Sequence, residues 1–160
     1  MKGFELSPAE ESDIPEILEL CGDWFVSESK KVGVSCNKLF IEDAIRQIIV
    51  HGNIVVKSVS NKDNKIIGVL ALGECDFWWS EDDIVTNVIF YVAPKWRNIK
   101  HYLTLLGAAK DLCREYNVPL VLDITGVDEV GRKDLLISKF SPKACKIGVT
   151  YMWRPEWENE

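Results

Sequence analysis

Four basic or potentially basic side chains lie within seven positions, where an apolar segment gives way to a helical pattern. They are Lys95, Arg97, Lys100 and His101, in a chain whose formal charge is -6 over 160 residues. The N–H groups of a helix's first turn have no intrahelical partner, and with the helix dipole they favour an anion at that end. The pattern therefore predicts a site for an anion such as a phosphate. The alternative is a solvated helix start.

The segments on either side of this cluster supply the strand and the helix that would position it. The apolar run Ile84–Ala93 predicts a central strand buried on both faces, and helical spacing predicts a long helix from Ile99 to Tyr116. A basic loop between a strand and a helix is the arrangement that phosphate sites commonly use.

The rest of the chain predicts helices and strands by the same periodicities. Before the cluster we predict a strand over residues 3–6, a helix from about Ser12 to Phe25, a flexible connection over Ser27–Cys36, a helix Leu39–His51, and hairpin strands Asn53–Ser60 and Lys65–Gly73. After it we predict a strand Val118–Ile124, a helix Val130–Phe140 and a strand Lys146–Trp153. This order predicts an α/β (α+β) chain with a mixed, mostly antiparallel sheet flanked by helices.

Composition indicates one globular domain over residues 1–160. Hydrophobic residues make up 47% and charged residues 28%, which is an ordinary globular balance. Apolar runs such as Val88–Ala93 are too short to span a bilayer, and Glu5, Glu10 and Glu11 stand where a signal peptide would be apolar. We expect a soluble, cytoplasmic protein without a membrane segment.

The cysteines and histidines predict neither a disulfide framework nor a metal site. The five cysteines form no Cys-x-x-Cys pair, and the two histidines lie far apart. Reduced thiols are expected. The cysteines are Cys21, Cys36, Cys75, Cys113 and Cys145.

The element order, the segment Val92-x-Pro94-x-x-Arg97 and the pair Leu105-Leu106 together resemble the GCN5-related N-acetyltransferase (GNAT) family. Asp13-Ile14 in the first helix and Lys65-Ile-Ile-Gly-Val69 at the start of a hairpin strand add to the likeness, which covers nearly the whole chain. The resemblance implies transfer of an acetyl or other acyl group from acetyl-CoA, or another acyl-CoA, to an amine acceptor by direct attack.

The resemblance also implies where the cofactor binds. In the family the loop after the central strand reads Arg/Gln-x-x-Gly-x-Gly/Ala, and its backbone N–H groups hold the pyrophosphate of coenzyme A. The matching residues here are Arg97, Asn98, Ile99, Lys100, His101 and Tyr102, and the backbone of Val92 matches the position that binds the pantetheine arm. Lys100 and Tyr102 replace the two glycines, so side chains of Lys100 and His101 could supply charge-assisted contacts instead.

The positions that carry acid–base chemistry in the family hold residues that cannot perform it. Asn87 stands where the base often lies, and Ile137 stands at the usual proton-donating tyrosine. No catalytic residue is therefore assigned, although an ordered water can carry a proton. Other candidates for the two roles are Glu81, Asp82, Asp83, Tyr91, Ser138 and Tyr151.

Two other classes of function stay open. A catalytically inactive protein of this fold could act by binding an anionic ligand or a protein partner through Trp78-Trp79, Trp153 and Trp157. Nucleic-acid binding through the alternating basic and aromatic residues Lys95–Tyr102 is disfavoured by the acidic remainder of the chain.

The acceptor, a small molecule or a protein amine, would contact Ser27–Cys36 and Ser141–Gly148, and a homodimer is possible.

Overall fold

The computed structural model describes residues 3–31, 33–51, 55–75 and 83–122. Its strands are β1 (Phe4–Pro8), β2 (Val55–Ser60), β3 (Ile66–Cys75), β4 (Ile84–Val92) and β5 (Leu120–Val121). Its helices are α1 (Ile14–Lys31), α2 (Lys38–Val50) and α3 (Ile99–Tyr116), with short 3₁₀ turns at Glu11–Asp13 and Pro94–Trp96. The predicted helix Val130–Phe140 and strand Lys146–Trp153 lie outside the described residues.

The strands form one sheet in the order β1-β2-β3-β4-β5. The first four strands pair antiparallel, and β5 pairs parallel to the start of β4, with Val85 opposite Leu120. The predicted mixed, mostly antiparallel sheet is confirmed. The parallel pair requires a crossover, which α3 provides.

Two apolar layers hold helices against the two faces of the sheet. Side chains of α1 and α2, with Ile17 and Ile45 among them, pack against Val69 and Ile89. On the other face Leu105 and other residues of α3 pack against Leu70, Leu72 and Val92. Because successive side chains of a strand point to opposite faces, β3 and β4 contribute to both layers.

The helix α1 is longer than the sequence analysis predicts. It continues through Lys31, so the predicted flexible connection over Ser27–Cys36 is wrong for its first five residues. Beyond its last residue, Lys31, the helix is closed by a Schellman cap. Gly33 has a φ of 68°, its N–H donates to the Lys30 carbonyl, and the N–H of Val34 donates to the Ser29 carbonyl. The polar residues after Phe25 can form an exposed helical turn. The signal that terminates the helix is Gly33.

The strand β4 is not buried along its whole length. Ala71 pairs with Ile89 and Leu72 pairs with Asn87, which leaves Val88 as an extra residue in a β-bulge. Val88 is 48% exposed, so the expectation of a strand buried on both faces is wrong at this residue. Bulges re-aim the chain and are common next to functional sites.

No helix in the described ranges is long and apolar enough to cross a membrane.

Candidate functional site at the start of α3

The end of β4 presents backbone groups on the side where β5 pairs. The N–H of Ala93 donates to the Ile67 carbonyl at 2.9 Å. Since antiparallel partners alternate between bonded and non-bonded pairs, Val92 opposite Gly68 directs its N–H and C=O away from β3. The described part of β5 pairs only near Val85, at the other end of β4. The backbone of Val92 thus faces an edge where a ligand could bind in the manner of a strand.

The side chain of Arg97 turns back toward β4. Its Nε donates a hydrogen bond to the Val92 carbonyl at 2.9 Å, and its guanidinium carbon lies 5.3 Å from the centroid of the Tyr91 ring. A cation over an aromatic face is attracted to it. Arg97 therefore holds the loop against the strand, whereas the sequence analysis expected its side chain beside the first turn of α3.

Asn98 caps α3 from an extended conformation, with φ -151° and ψ 160°. Its Oδ1 accepts the N–H of His101 at 2.9 Å, and its Nδ2 donates to the Trp96 carbonyl at 3.0 Å. A side-chain oxygen that accepts from the third helical N–H is the usual N-cap arrangement. One of the helix's unpaired donors is thereby satisfied without a ligand.

Two N–H donors of the first turn stay open. The N–H of Tyr102 donates to the Asn98 carbonyl at 3.2 Å, which begins the helical hydrogen-bond ladder. The N–H groups of Ile99 and Lys100 have no partner among the residues the structure describes. Both residues are exposed, as is Lys95 in the preceding turn. This end of α3 retains two backbone donors, the helix dipole and flanking ammonium groups, which suits an anion.

The replaced glycines cause no backbone strain. Among described residues the only positive φ angles are those of Gly33, Asn64 and Asn117, so Lys100 and Tyr102 adopt conformations open to any residue. The ring of Tyr102 packs at 60° to Phe90 with centroids 5.3 Å apart. Lys100 and Tyr102 do, however, add side-chain volume around the start of α3.

The His101 side chain does not lie at the anion site, which corrects the expectation that it donates to a phosphate. The residue has no exposed surface, and its ring stacks on Phe4 with centroids 3.9 Å apart. Nε2 lies 2.7 Å from Ser58 Oγ, and Nδ1 lies 3.3 Å from the Trp96 carbonyl oxygen. Burial lowers the pKa of His101, and the bond to the Trp96 carbonyl opposes that change.

Sequence reasoning missed Ser58 and Gly68 as parts of this arrangement. A Cβ on Gly68 would lie 2.6 Å from Ser58 Oγ and 3.1 Å from His101 Nε2, so only glycine fits here without movement. The spacing of His101, Leu105 and Ala109 at four-residue intervals was a usable indication, because such residues share one helix face. That pattern places the histidine on the buried side.

The described strand β4 contains no carboxylate that could act together with the candidate acid–base residues. Asn87 lies beside the bulge, and Tyr91 is buried with its ring 5.6 Å from that of Trp24. Burial raises the pKa of Tyr91, and the charge of Arg97 opposes the change. Asp83 is exposed. The remaining candidates, Glu81, Asp82, Ser138 and Tyr151, lie outside the described residues, as does Ile137 at the position of the usual tyrosine.

Cysteine, histidine and carboxylate side chains form no metal-binding group within the described ranges. The cysteines described with their side chains, Cys21, Cys36 and Cys113, are free thiols. Burial raises the pKa of Cys21 to about 12, which keeps this thiol protonated and unreactive.

Solved structures of acetyltransferases share this fold. A predicted acetyltransferase with acetyl-CoA from Clostridium acetobutylicum aligns with a TM-score of 0.70 at 15% identity and covers 97% of each chain. An aminoglycoside acetyltransferase from an uncultured soil metagenomic sample, in complex with sisomicin, aligns at 0.66 with 16% identity, over 95% of this chain and 96% of its own. A GNAT family acetyltransferase from Staphylococcus aureus aligns at 0.61 with 14% identity, over 95% and 98%.

No family model and no curated protein matches the sequence. At these identities the structural likeness establishes the fold, and the predicted GNAT acyltransferase fold is confirmed.

Proposed function

We propose that the protein is an N-acyltransferase that moves an acetyl or other acyl group from coenzyme A to an amine acceptor. The observation that supports this most is the junction of β4 and α3. There the backbone of Val92 faces away from β3, next to a helix start with open N–H groups at Ile99 and Lys100. A strand edge for an amide-containing arm beside an anion site suits coenzyme A.

The residues present fit coenzyme A, although they retain only part of the arrangement that the family uses to hold it. The N–H groups of Ile99 and Lys100 and the Lys100 ammonium would hold the pyrophosphate, and the backbone of Val92 would hold the pantetheine arm. Because the Val92 carbonyl already accepts a hydrogen bond from Arg97, the N–H of Val92 is the group available to the pantetheine arm. When bound, the acyl thioester supplies an activated carbonyl carbon for the amine to attack.

In this proposal water removes the proton, rather than a side chain of the described part of β4. Asn87 cannot accept a proton at neutral pH, and the raised pKa of Tyr91 keeps its phenol uncharged. The amine must therefore be uncharged when it attacks. We expect the rate of transfer at low acceptor concentration to rise with pH until the acceptor amine is deprotonated.

The acceptor is proposed to approach from the face of the sheet that α1 covers. There Trp24 packs against Phe25 and Tyr91, with ring centroids 4.9 Å and 5.6 Å apart. Tyr91 precedes Val92 along β4, so in this proposal the three rings form an apolar wall near the reacting carbonyl. The acceptor class, a small-molecule or a protein amine, is left to a screen.

Amide resonances in NMR spectra test the proposed cofactor site. On titration with acetyl-CoA, the amides of Val92, Ile99 and Lys100 should show the largest shifts, while those of Leu39 and Phe40 at the start of α2 serve as controls. Shifts confined to α2, or none at millimolar ligand, would contradict the site. A panel of amines with detection of free thiol then tests transfer.

A second candidate function is binding without catalysis. Leu39 and Phe40, in the first turn of α2, are 76% and 73% exposed. Large apolar side chains exposed together favour a protein partner or a second copy of the chain. Turnover with any amine would exclude the inactive form of this hypothesis.

A further inference from the structure

Three polar residues are buried beneath the start of α3. Within the described ranges, Ser58 and His101 have no exposed surface and Ser60 has 1%. They adjoin the apolar layer of Leu70 and Leu105. Burying a polar group is costly unless it is hydrogen-bonded, and every buried side-chain polar atom in the described part of the chain has a partner.

The contacts define the tautomer of the uncharged His101 ring. A carbonyl oxygen only accepts, so Nδ1, which faces the Trp96 carbonyl, carries the hydrogen. Nε2 then accepts from the Ser58 hydroxyl at 2.7 Å. The uncharged ring satisfies both contacts, with Phe4 stacked on it and the missing side chain of Gly68 leaving room for Nε2.

A second proton on this ring would place a charge where no group of opposite charge faces it among the described residues. Strand positions alternate, so Glu5 and Lys57 point to the opposite face from Phe4 and Ser58, and Lys57 pairs there with Asp13 at 2.6 Å. The other charged groups on the described elements packed around the ring are Lys62, Asp63 and Lys65 before β3, Glu74 at its far end, Lys95 and Arg97 before α3, and Lys100, Lys110, Asp111, Arg114 and Glu115 on α3.

The pKa of His101 is lowered by burial, and the bond to the Trp96 carbonyl opposes that change. The Asp63 carboxylate is engaged with the Ser60 hydroxyl, which lowers its own pKa. β4 has no charged residue. Protonation would therefore be uncompensated and would favour conformations in which the ring leaves its site.

We propose that His101 is a positioning residue: its uncharged ring, tied to Ser58 and to the Trp96 carbonyl, holds the first turn of α3 in the conformation that presents the N–H groups of Ile99 and Lys100. The backbone links are direct, because the His101 N–H and the Trp96 carbonyl both bind the capping side chain of Asn98. Protonation of the ring loosens that turn. The inference rests on the proposed function in taking coenzyme A as the ligand of the turn.

Calorimetry of the full chain with coenzyme A, from about pH 7.5 to about pH 5, tests the proposal. His101→Gln keeps hydrogen-bonding groups but does not titrate. His51→Gln removes the exposed histidine, whose Nε2 lies 2.8 Å from Gln47 Oε1 on α2. Protonation of the ligand's own phosphates is common to all three proteins, so only differences between them count.

The wild type and His51→Gln should lose about tenfold more affinity in acid than His101→Gln, because one proton must leave before the ligand binds. Equal pH profiles for wild type and His101→Gln would overturn the proposal. So would a gain of wild-type affinity in acid relative to His101→Gln, since that is the behaviour of a side chain that donates to the phosphate.

Amide hydrogen exchange without ligand separates this inference from the proposed function. After correction for intrinsic exchange, the amides of His101 and Tyr102 should lose protection as pH falls in the wild type but not in His101→Gln. If coenzyme A binds to neither protein, the proposed function fails, and the exchange result alone supports or overturns the role of His101.

Discussion

At the scale of single residues, the loop between β4 and α3 is held by contacts within the protein. Arg97 binds the Val92 carbonyl, Asn98 caps the helix, and His101 reaches Ser58 on β2. These three side chains therefore position the loop, and the groups offered to an anion are two backbone N–H donors and lysines. Sequence reasoning identified the segment but assigned two of these side chains to the ligand, because a run of basic residues does not show which way each one points.

The fit around Gly68 predicts a specific sensitivity to added volume. Gly68→Ala should lower the free energy of unfolding by about 2 kcal/mol, because its Cβ would lie 2.6 Å from Ser58 Oγ. Gly107→Ala is the control. Nothing lies within 4 Å of a Cβ there, and alanine should raise the stability of α3 by about 0.5–1 kcal/mol. Urea unfolding of both variants measures this, and a Gly68→Ala variant as stable as the wild type would contradict the packing.

Burial of His101 predicts how stability depends on pH. Its pKa in the folded protein is lowered from 6.5, so as pH falls through 6.5 the unfolded chain takes up the proton first. The stability that the uncharged ring contributes is complete above this pH and is lost as pH falls toward the folded-state pKa. Urea unfolding should show the advantage of wild type over His101→Gln shrinking in acid. An advantage that is constant with pH would contradict the burial.

At the scale of elements, periodicity predicted the helices and strands that bury one face. The predicted and observed bounds of α3 coincide, from Ile99 to Tyr116, because its apolar residues repeat at helical spacing and Asn98 caps it. The end of α1 was missed because its last turns are polar and carry no apolar pattern. The bulge at Val88 was also missed, because an unpaired residue in an apolar strand looks like its neighbours.

The two asparagine caps allow stability and ligand binding to be separated. Asn98→Asp retains a capping oxygen, and the dipole gain offsets the lost Nδ2 bond to Trp96, so stability should change by less than about 1 kcal/mol. The new carboxylate should weaken acetyl-CoA binding about tenfold by repelling phosphate. Asn37→Asp makes the same change at the cap of α2 and should leave binding unaltered. Calorimetry with acetyl-CoA on both variants decides this.

Equal effects of Asn98→Asp and Asn37→Asp on affinity would contradict an anion site at α3 and would point instead to an effect of net charge. If Asn98→Asp failed to fold while Asn37→Asp folded, the Asn98 cap would contribute more to the stability of the protein than its hydrogen bonds indicate.

At the scale of the whole molecule, the sheet order and the helices on both faces make the GNAT fold, and solved acetyltransferases at 14–16% identity align over nearly the whole chain. The sequence predicts this fold because the order of periodic segments survives where individual residues diverge. It could not predict the internal contacts of His101, since these depend on residues 33 and 43 positions away. The proposed function rests on a strand edge at Val92 and a helix start at Ile99 and Lys100, where Lys100 and Tyr102 stand at the positions of the family's two glycines.

Titration calorimetry with acetyl-CoA tests the central claim most directly, using the wild type, Lys100→Ala at the start of α3 and Lys110→Ala farther along the same helix. We expect micromolar binding by the wild type and by Lys110→Ala, and affinity about tenfold weaker in Lys100→Ala, which loses a charge-assisted contact to phosphate. No heat at millimolar acetyl-CoA, or equal losses in the two variants, would contradict a coenzyme site at the start of α3.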